Sequence, residues 1–219
     1  MEPLILVGSS GHARVIADMI ERGNQYHVVG LVDDYRSVGE SVAGHKVLGP
    51  VADIDDIRLK TNARLCVVAI GDNWNRARMA ETILRRPGLS FATVVHPSSV
   101  VAKSATLGEG TVVMPGAVIG PACIIGRQCI INTGASADHD CVLGDYSSLA
   151  PGSVLGGAVV VGDYTAVSIG ATVIQRVVIG ASTVVGAGAV VTRDLPGNVI
   201  AYGVPAKVIR LRSEGEKYL

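Results

Sequence analysis

Val113-Met114-Pro115-Gly116-Ala117-Val118-Ile119-Gly120-Pro121-Ala122-Cys123-Ile124-Ile125-Gly126 repeats a pattern every six residues. Aliphatic side chains stand at 113, 119 and 125, and small ones at 117 and 123. The aliphatic column begins at Val95 and runs through Val101, Leu107 and onward to Val185 and Val191. It holds for seventeen consecutive positions without a slip, and Ala137 is its one undersized member. With about half of residues apolar, chance would produce such a run on the order of once in 10⁵.

Two further columns share the period. Glycine dominates the place after the aliphatic residue: Gly108, Gly120, Gly126, Gly144, Gly156, Gly162, Gly180 and Gly186. Four places after it stand Thr111, Ala117, Cys123, Cys129, Ala135, Cys141, Ser147 and Ser153. This is the hexapeptide signature of a parallel β-helix. Each hexapeptide supplies one short strand and one turn, and three close a triangular coil. The aliphatic residue points inward and the small residue fits the corner. Glycine is expected where the backbone takes conformations other residues resist. An α-helix would space its apolar residues by three and four.

The first half reads differently. Leu4-Ile5-Leu6-Val7 predicts a buried strand, Gly8-Ser9-Ser10-Gly11 a tight turn, and His12 to Arg22 a helix closed by Gly23-Asn24. Val28 to Val32 predicts a second strand ending in Asp33-Asp34, and Leu65 to Ile70 a third. Gly71-Asp72-Asn73 leads into a helix from Trp74 to Leu84, and Phe91 to Val95 predicts the last strand before the repeat. Strand, helix, strand in this order implies a small parallel sheet of Rossmann type. The expected division is 1–93 for this domain and 94–219 for the β-helix. A ligand belongs at the C-terminal strand edge, near Gly8–His12, Asp33-Asp34 and Gly71–Asn73. The loop would turn backbone N–H groups and a helix N-terminus toward a phosphate. The GxGxxG fingerprint is not met, because Gly8, Ser10 and Ala13 occupy its places. An ordinary strand–helix turn remains open.

Composition narrows the function. Lys+Arg and Asp+Glu each number 19, for a formal net charge of zero. No Lys/Arg-rich block suggests nucleic-acid binding. No apolar run approaches the ~20 residues of a membrane span, and the first residues lack a basic n-region. A cytoplasmic protein with no membrane insertion is the expectation. Cys123, Cys129 and Cys141 fall in the small column and Cys66 in an apolar run, so all read as core.

His139 is the one histidine within the repeat proper, in Ala137-Asp138-His139-Asp140-Cys141. It follows the undersized Ala137 by two places. An imidazole suits general-base chemistry, and a neighbouring carboxylate can fix its tautomer and raise its basicity. A surface histidine is the alternative. A metal site of the β-helical carbonic anhydrase kind needs three histidines, so no metal is expected.

Gly8-Ser9-Ser10-Gly11-His12, Asp33-Asp34, Gly71-Asp72-Asn73, Asn132-Thr133, His139-Asp140-Cys141 and Gly203-Val204-Pro205-Ala206-Lys207 occur in this order along the chain. Together they resemble the nucleotide-sugar N-acetyltransferases of the bacillosamine and perosamine pathways. Sialic acid O-acetyltransferases share the overall pattern. The resemblance implies a left-handed β-helix after the α/β domain, a homotrimer, and active sites between subunits. Acetyl-CoA is then the donor and a nucleotide-linked amino sugar the acceptor. His139 matches the base, and Asp140 the acidic residue that increases its basicity. Ser10, Gly11, His12, Asp33, Asp34, Gly71 and Asn132 match acceptor contacts. Ser148, Ile169 and Ala187 match coenzyme contacts, although a His can stand at the first of these and a Gly at the last. Transfer would be direct, since no GxSxG elbow supplies a serine nucleophile.

O-acetylation of sialic acid, a Rossmann oxidoreductase and a purely structural solenoid are the competing readings. The broken fingerprint weighs against the second. The segment Asp194-Leu195-Pro196-Gly197 breaks the rhythm. Val199 to Ile209 is therefore expected to pack back over the open end, with Lys207 or Arg210 near the coenzyme phosphates.

Overall fold

The structure, a computed structural model, describes residues 1–217. The apolar runs of the first half form one sheet from β1 (Glu2–Val7), β2 (Tyr26–Val32), β3 (Ser41–Val42), β4 (His45–Gly49), β5 (Leu65–Val68) and β6 (Ser90–Phe91). Their order is β3-β4-β2-β1-β5-β6, and only the β3–β4 hairpin is antiparallel. Three helices pack on it: α1 (Gly11–Arg22), α2 (Ile54–Thr61) and α3 (Asn73–Leu84). Leu4, Ile5, Leu6 and Val7 are all fully buried. A strand covered on both faces reads as a continuous apolar run rather than an alternation. The β3–β4 hairpin and α2 are additions to the elements expected from sequence.

The run Phe91–Val95 is not one strand. Ser90–Phe91 pairs with β5 in the α/β sheet, whereas Val94–Val95 pairs with Val112–Val113 as the first β-helix rung. Ala92 and Thr93 carry the chain between the two.

From there, two-residue strands stack at 18-residue intervals into the three sheets of a left-handed parallel β-helix. The first face runs from Val94–Val95 to Val184–Val185. The second runs from Val100–Val101 to Val190–Val191, and the third from Thr106–Leu107 to Val178–Ile179. Inward residues from Val113 to Val191 are at most 2% exposed. Each such aliphatic side chain contributes roughly 1.5–3 kcal/mol through burial. Val95, at the open start, is 39% exposed and stands outside this core. The small column is fully buried at the inner corners. Burial pushes the Cys66 thiol up to about 12 and that of Cys141 up to about 11, so neither is a thiolate.

The glycine column has a different cause from the one expected. Gly108, Gly120, Gly126 and Gly156 are absent from the positive-φ positions. A Cβ at Gly108 would lie 2.5 Å from the Gly126 backbone, and one at Gly120 would lie 2.8 Å from Asp138. These glycines exist because the next coil leaves no room. The left-handed conformation falls two places later and recurs every six residues from Gly110 to Gly188. It makes three distinct edges. Between the first and second faces it is glycine throughout: Gly116, Gly134, Gly152, Gly170 and Gly188. Between the second and third it is Ala122, Asp140, Ala158 and Arg176. Between the third and first it is Gly110, Gln128, Tyr146, Tyr164 and Ser182.

Helix α3 docks on that last edge. Arg76 is 1% exposed and donates to Gln128 O, Tyr146 O, Ile70 O and Gly71 O. Asn73 Nδ2 donates to Tyr164 O and Thr165 O, and Trp74 stacks on Tyr164 at 4.3 Å between ring centres. The α/β domain also covers the early rungs of the first face: Val94, Val112 and Ile130 join Leu4, Leu6 and Ile16 in one apolar cluster. The second and third faces lack such cover. Val118 and Val154 on one, and Ile124, Val160 and Val178 on the other, are each 37–54% exposed.

The C-terminal segment does not fold across the open end. Leu195 bridges to Ile179 and Val199–Gly203 pairs in parallel with Val184–Val185, so the coil continues in shortened form. Ala206–Leu211 then returns antiparallel along it. Arg210 pairs with Glu216.

Candidate active site

The C-terminal edge of the α/β sheet opens into a cavity of about 600 Å³. Gly8, Ser9, Ser10, Asp33, Asp34 and Gly71 line it. Gly8 requires its glycine twice over: φ is +104°, and a Cβ would stand 3.2 Å from Ala69 O. Gly11 opens α1 with nothing within 4 Å of a built Cβ, so space is free there. The carboxylates are tethered to the cavity wall. Asp33 accepts from the Ser9 hydroxyl at 2.6 Å and from Tyr35 N at 2.8 Å, and Asp34 accepts from Val51 N at 2.8 Å. The second Asp34 oxygen has no protein donor among the described residues. Asp72 caps α3 by accepting from Asn75 N. His12 does not line the cavity. Its Nε2 is buried without a partner, and burial followed by the Arg76 charge pushes its pKa down to about 4. The ring is neutral near pH 7.

His139 occupies the second–third edge of the prism, after the rung Ser136–Ala137. Its Nδ1–H donates to Asp140 Oδ2 at 2.7 Å. Asp138 Oδ1 accepts from the His139 backbone N–H at 2.8 Å. The hydrogen bond to Asp140, then the charge of Asp138, hold the imidazole above its ordinary pKa. The side chain is 58% exposed. With Nδ1 engaged, Nε2 carries the lone pair that can take a proton.

Gly157 escaped the sequence reading. It lies one full coil beyond His139, and a Cβ there would stand 2.6 Å from both Cε1 and Nε2 of the imidazole. The ring therefore rests on bare backbone. The signal was available, because Gly156-Gly157 is the one glycine pair in the chain. A depression of about 270 Å³ on the second face lies beside the histidine, lined by Ser136, Asp138 and Gly156.

The other expected residues sit elsewhere. Asn132 lies on the glycine edge, one corner before His139 in the same coil, with its Oδ1 accepting from Thr133 N. Ile169 and Ala187 follow on that edge, and Gly188 N donates to Ile169 O between coils. Ser148 is instead 7% exposed on the first face. One protomer therefore holds its histidine and two of its expected coenzyme residues, Ile169 and Ala187, on different edges of the second face. Among the described residues, no group of three or more His, Cys, Asp or Glu could hold a metal. No helix among them is long and apolar enough to cross a membrane.

Comparison with known proteins agrees with this architecture. Residues 3–83 match the PglD N-terminal domain, and residues 104–136 match the bacterial transferase hexapeptide repeat. A GDP-perosamine N-acetyltransferase from Caulobacter crescentus, solved with CoA and GDP-perosamine, is 40% identical. That alignment covers 96% of this chain and 98% of the other, at a TM-score of 0.91. The chain belongs to this family of acetyl-CoA-dependent sugar N-acetyltransferases. The acetyltransferase domain of PglB from Neisseria gonorrhoeae FA1090, solved with acetyl coenzyme A, is 30% identical. It is covered over 99% of its length at a TM-score of 0.87. A UDP-N-acetylbacillosamine N-acetyltransferase from Bacillus subtilis is 40% identical over 113 residues, and the match spans half the length of that relative.

Proposed function

We propose that the protein transfers acetyl from acetyl-CoA to the 4-amino group of a nucleotide-linked amino-deoxy sugar. The observation that carries this reading is the His139–Asp140 pair at an open edge, with Nε2 over the bare backbone of Gly157. A protonated amine has no lone pair for attack on a thioester. His139 Nε2 takes the amine proton as nitrogen bonds to the carbonyl carbon. Asp140 holds the tautomer and stabilises the imidazolium. A backbone N–H at this corner, such as that of Gly157 beneath the imidazole, stabilises the oxyanion. The C–S bond then breaks, and the CoA thiolate leaves and is protonated.

Ser10, Gly11, Asp33, Asp34 and Gly71 are the proposed acceptor contacts, with Asn132 beside the sugar; His12, whose ring lies outside the cavity, is not among them. Ser148, Ile169 and Ala187 are the proposed coenzyme contacts, and Ile169 and Ala187 are supported by the unobstructed glycine edge on which they lie. A homotrimer follows from the same reading. Its support is two uncovered aliphatic faces and a site divided between two edges, which a neighbouring copy would bring together. A cytoplasmic location is proposed, since acetyl-CoA and nucleotide sugars are cytoplasmic substrates.

The test is CoA release measured with GDP-, UDP- and dTDP-linked 4-amino-4,6-dideoxy sugars and with free sialic acid. Turnover of one nucleotide amino sugar is expected. Turnover of sialic acid alone would overturn the reading in favour of O-acetylation.

A further inference from the structure

The acceptor cavity contains carboxylates but needs cations. A nucleotide-linked sugar carries a diphosphate, and Asp33 and Asp34 both line the pocket with the wrong sign for it. Two basic side chains line the same cavity. Arg78 comes from α3, two residues beyond Arg76, which docks on the β-helix, and its guanidinium donates to Asn75 Oδ1. Lys217 comes from the far end of the chain.

The segment that delivers Lys217 is tied down by hydrogen bonds. Arg212 is 4% exposed, with its backbone N–H donating to Asn198 O at 2.8 Å. Its guanidinium donates to Ser182 O at 3.0 Å and to Glu216 O at 2.6 Å. Ser182 O continues the row of edge carbonyls engaged by α3, after Gln128 O, Tyr146 O and Tyr164 O. Tail and helix thus dock side by side on one edge. Glu216 closes the turn by accepting from Ser213 N and pairing with Arg210, and that pairing holds its carboxyl down to about 2. The last of these contacts fall on Glu216, the residue before Lys217.

We propose that Lys217 and Arg78 form a cation clamp for the diphosphate of the acceptor, so that the tail of the β-helix domain closes the nucleotide site of the α/β domain. The inference rests on the acceptor reading above. The carboxylates face the nucleoside, whose hydroxyl and N–H groups donate, while the two cations and the loop N–H groups take the phosphate oxygens. The clamp would make the enzyme distinguish a nucleotide-linked sugar from a free amino sugar.

Calorimetry with GDP, UDP and dTDP, each against its nucleoside, tests this on the full-length protein. For whichever diphosphate binds, Lys217→Ala and Arg78→Ala are each expected to weaken affinity about tenfold and to reduce its salt dependence. Lys217→Arg should restore affinity to within about threefold, and nucleoside and acetyl-CoA affinities should hold. Unchanged diphosphate affinity in both alanine variants overturns the clamp and leaves the acceptor reading intact. Loss of acetyl-CoA affinity instead assigns the cations to the coenzyme diphosphate and also overturns it. An equal loss for nucleoside and diphosphate marks the tail as merely structural. Failure of all three diphosphates to bind the wild type removes the acceptor reading and the clamp together.

Discussion

The glycine edge and the tyrosine edge of the prism share one backbone turn. φ is 64–68° at Gly116, Gly134, Gly152, Gly170 and Gly188, and 54–59° at Gln128, Tyr146, Tyr164 and Ser182. The second group bears a left-handed cost of roughly 1 kcal/mol per residue and is accepted all the same. Backbone strain alone therefore does not require glycine along an entire edge. What differs is what lies against each edge. Tyr164 stacks between Trp74 and Tyr146 and holds the α/β domain in place, whereas nothing lies within 4 Å of a Cβ built on any of those five edge glycines. One edge is filled to anchor a domain, and the other is bare. On the proposed reading, the bare edge is where the coenzyme runs.

The edge between them, with His139, gives the largest expected effect. His139→Ala should lower kcat/KM by about 10²–10⁴-fold in a folded protein that still binds both substrates. Because the imidazole pKa is raised, the wild-type rate should climb with pH through an apparent pKa above that of ordinary histidine. Asp140→Asn should move this limb to lower pH and cost less rate. Near-normal turnover of His139→Ala at high pH would leave His139 with a positioning role only. Gly157→Val pushes a side chain into the imidazole and should lower kcat about a hundredfold, as displacement of a proton acceptor does. An unchanged kcat would mean that the ring works from another position.

The tyrosine edge should respond in stability. Tyr164→Ala removes a half-buried ring stacked on both sides and is expected to cost about 2 kcal/mol, read by denaturant unfolding. Coenzyme affinity should not change. Gly170→Gln copies the opposite edge onto the bare one. It should cost about 1 kcal/mol of stability but weaken acetyl-CoA binding about tenfold, through obstruction. If only stability changes, the edge is glycine for backbone reasons and the comparison fails.

The smallest effect concerns His12, close enough to Arg76 to feel its charge. Its folded pKa is lowered to about 4, so the unfolded chain binds more protons between that value and 6.5. Stability therefore falls as pH falls through this window, by about 1 kcal/mol between pH 6.5 and 5.5 for one such group. His12→Asn should flatten the dependence, measured as the shift in urea midpoint between those two pH values.

The coils were legible because their period is rigid. Every sixth residue must fill the same small triangle, so one slip would expose a whole column. The apolar strand Leu4–Val7 and helices α1 and α3 were legible for a similar reason, since burial on both faces or on one stripe leaves a pattern. The hairpin Ser41–Gly49 and helix Ile54–Thr61 left none, because short elements at a sheet margin bury few residues. The split within Phe91–Val95 was also hidden, since both halves are apolar for different partners.

The site divides in the same way. His139-Asp140, the Gly8–Gly11 turn and Asp33-Asp34 stand out in the sequence because polar or flexible residues interrupt an apolar register. Gly157 beneath the imidazole and Arg76 beneath the tyrosine edge did not. Their partners on the prism are eighteen or more residues away, and only the tertiary fold brings them together. Lys217 is the extreme case, a lysine in a polar tail that enters the α/β cavity because Arg212 and Glu216 tie the tail to the prism. Local chemistry and period were set by the sequence alone. Which glycine answers to φ and which to space, which edge is bare and which cations reach the cavity were decided by tertiary structure, because each depends on a distance between segments that no local pattern encodes.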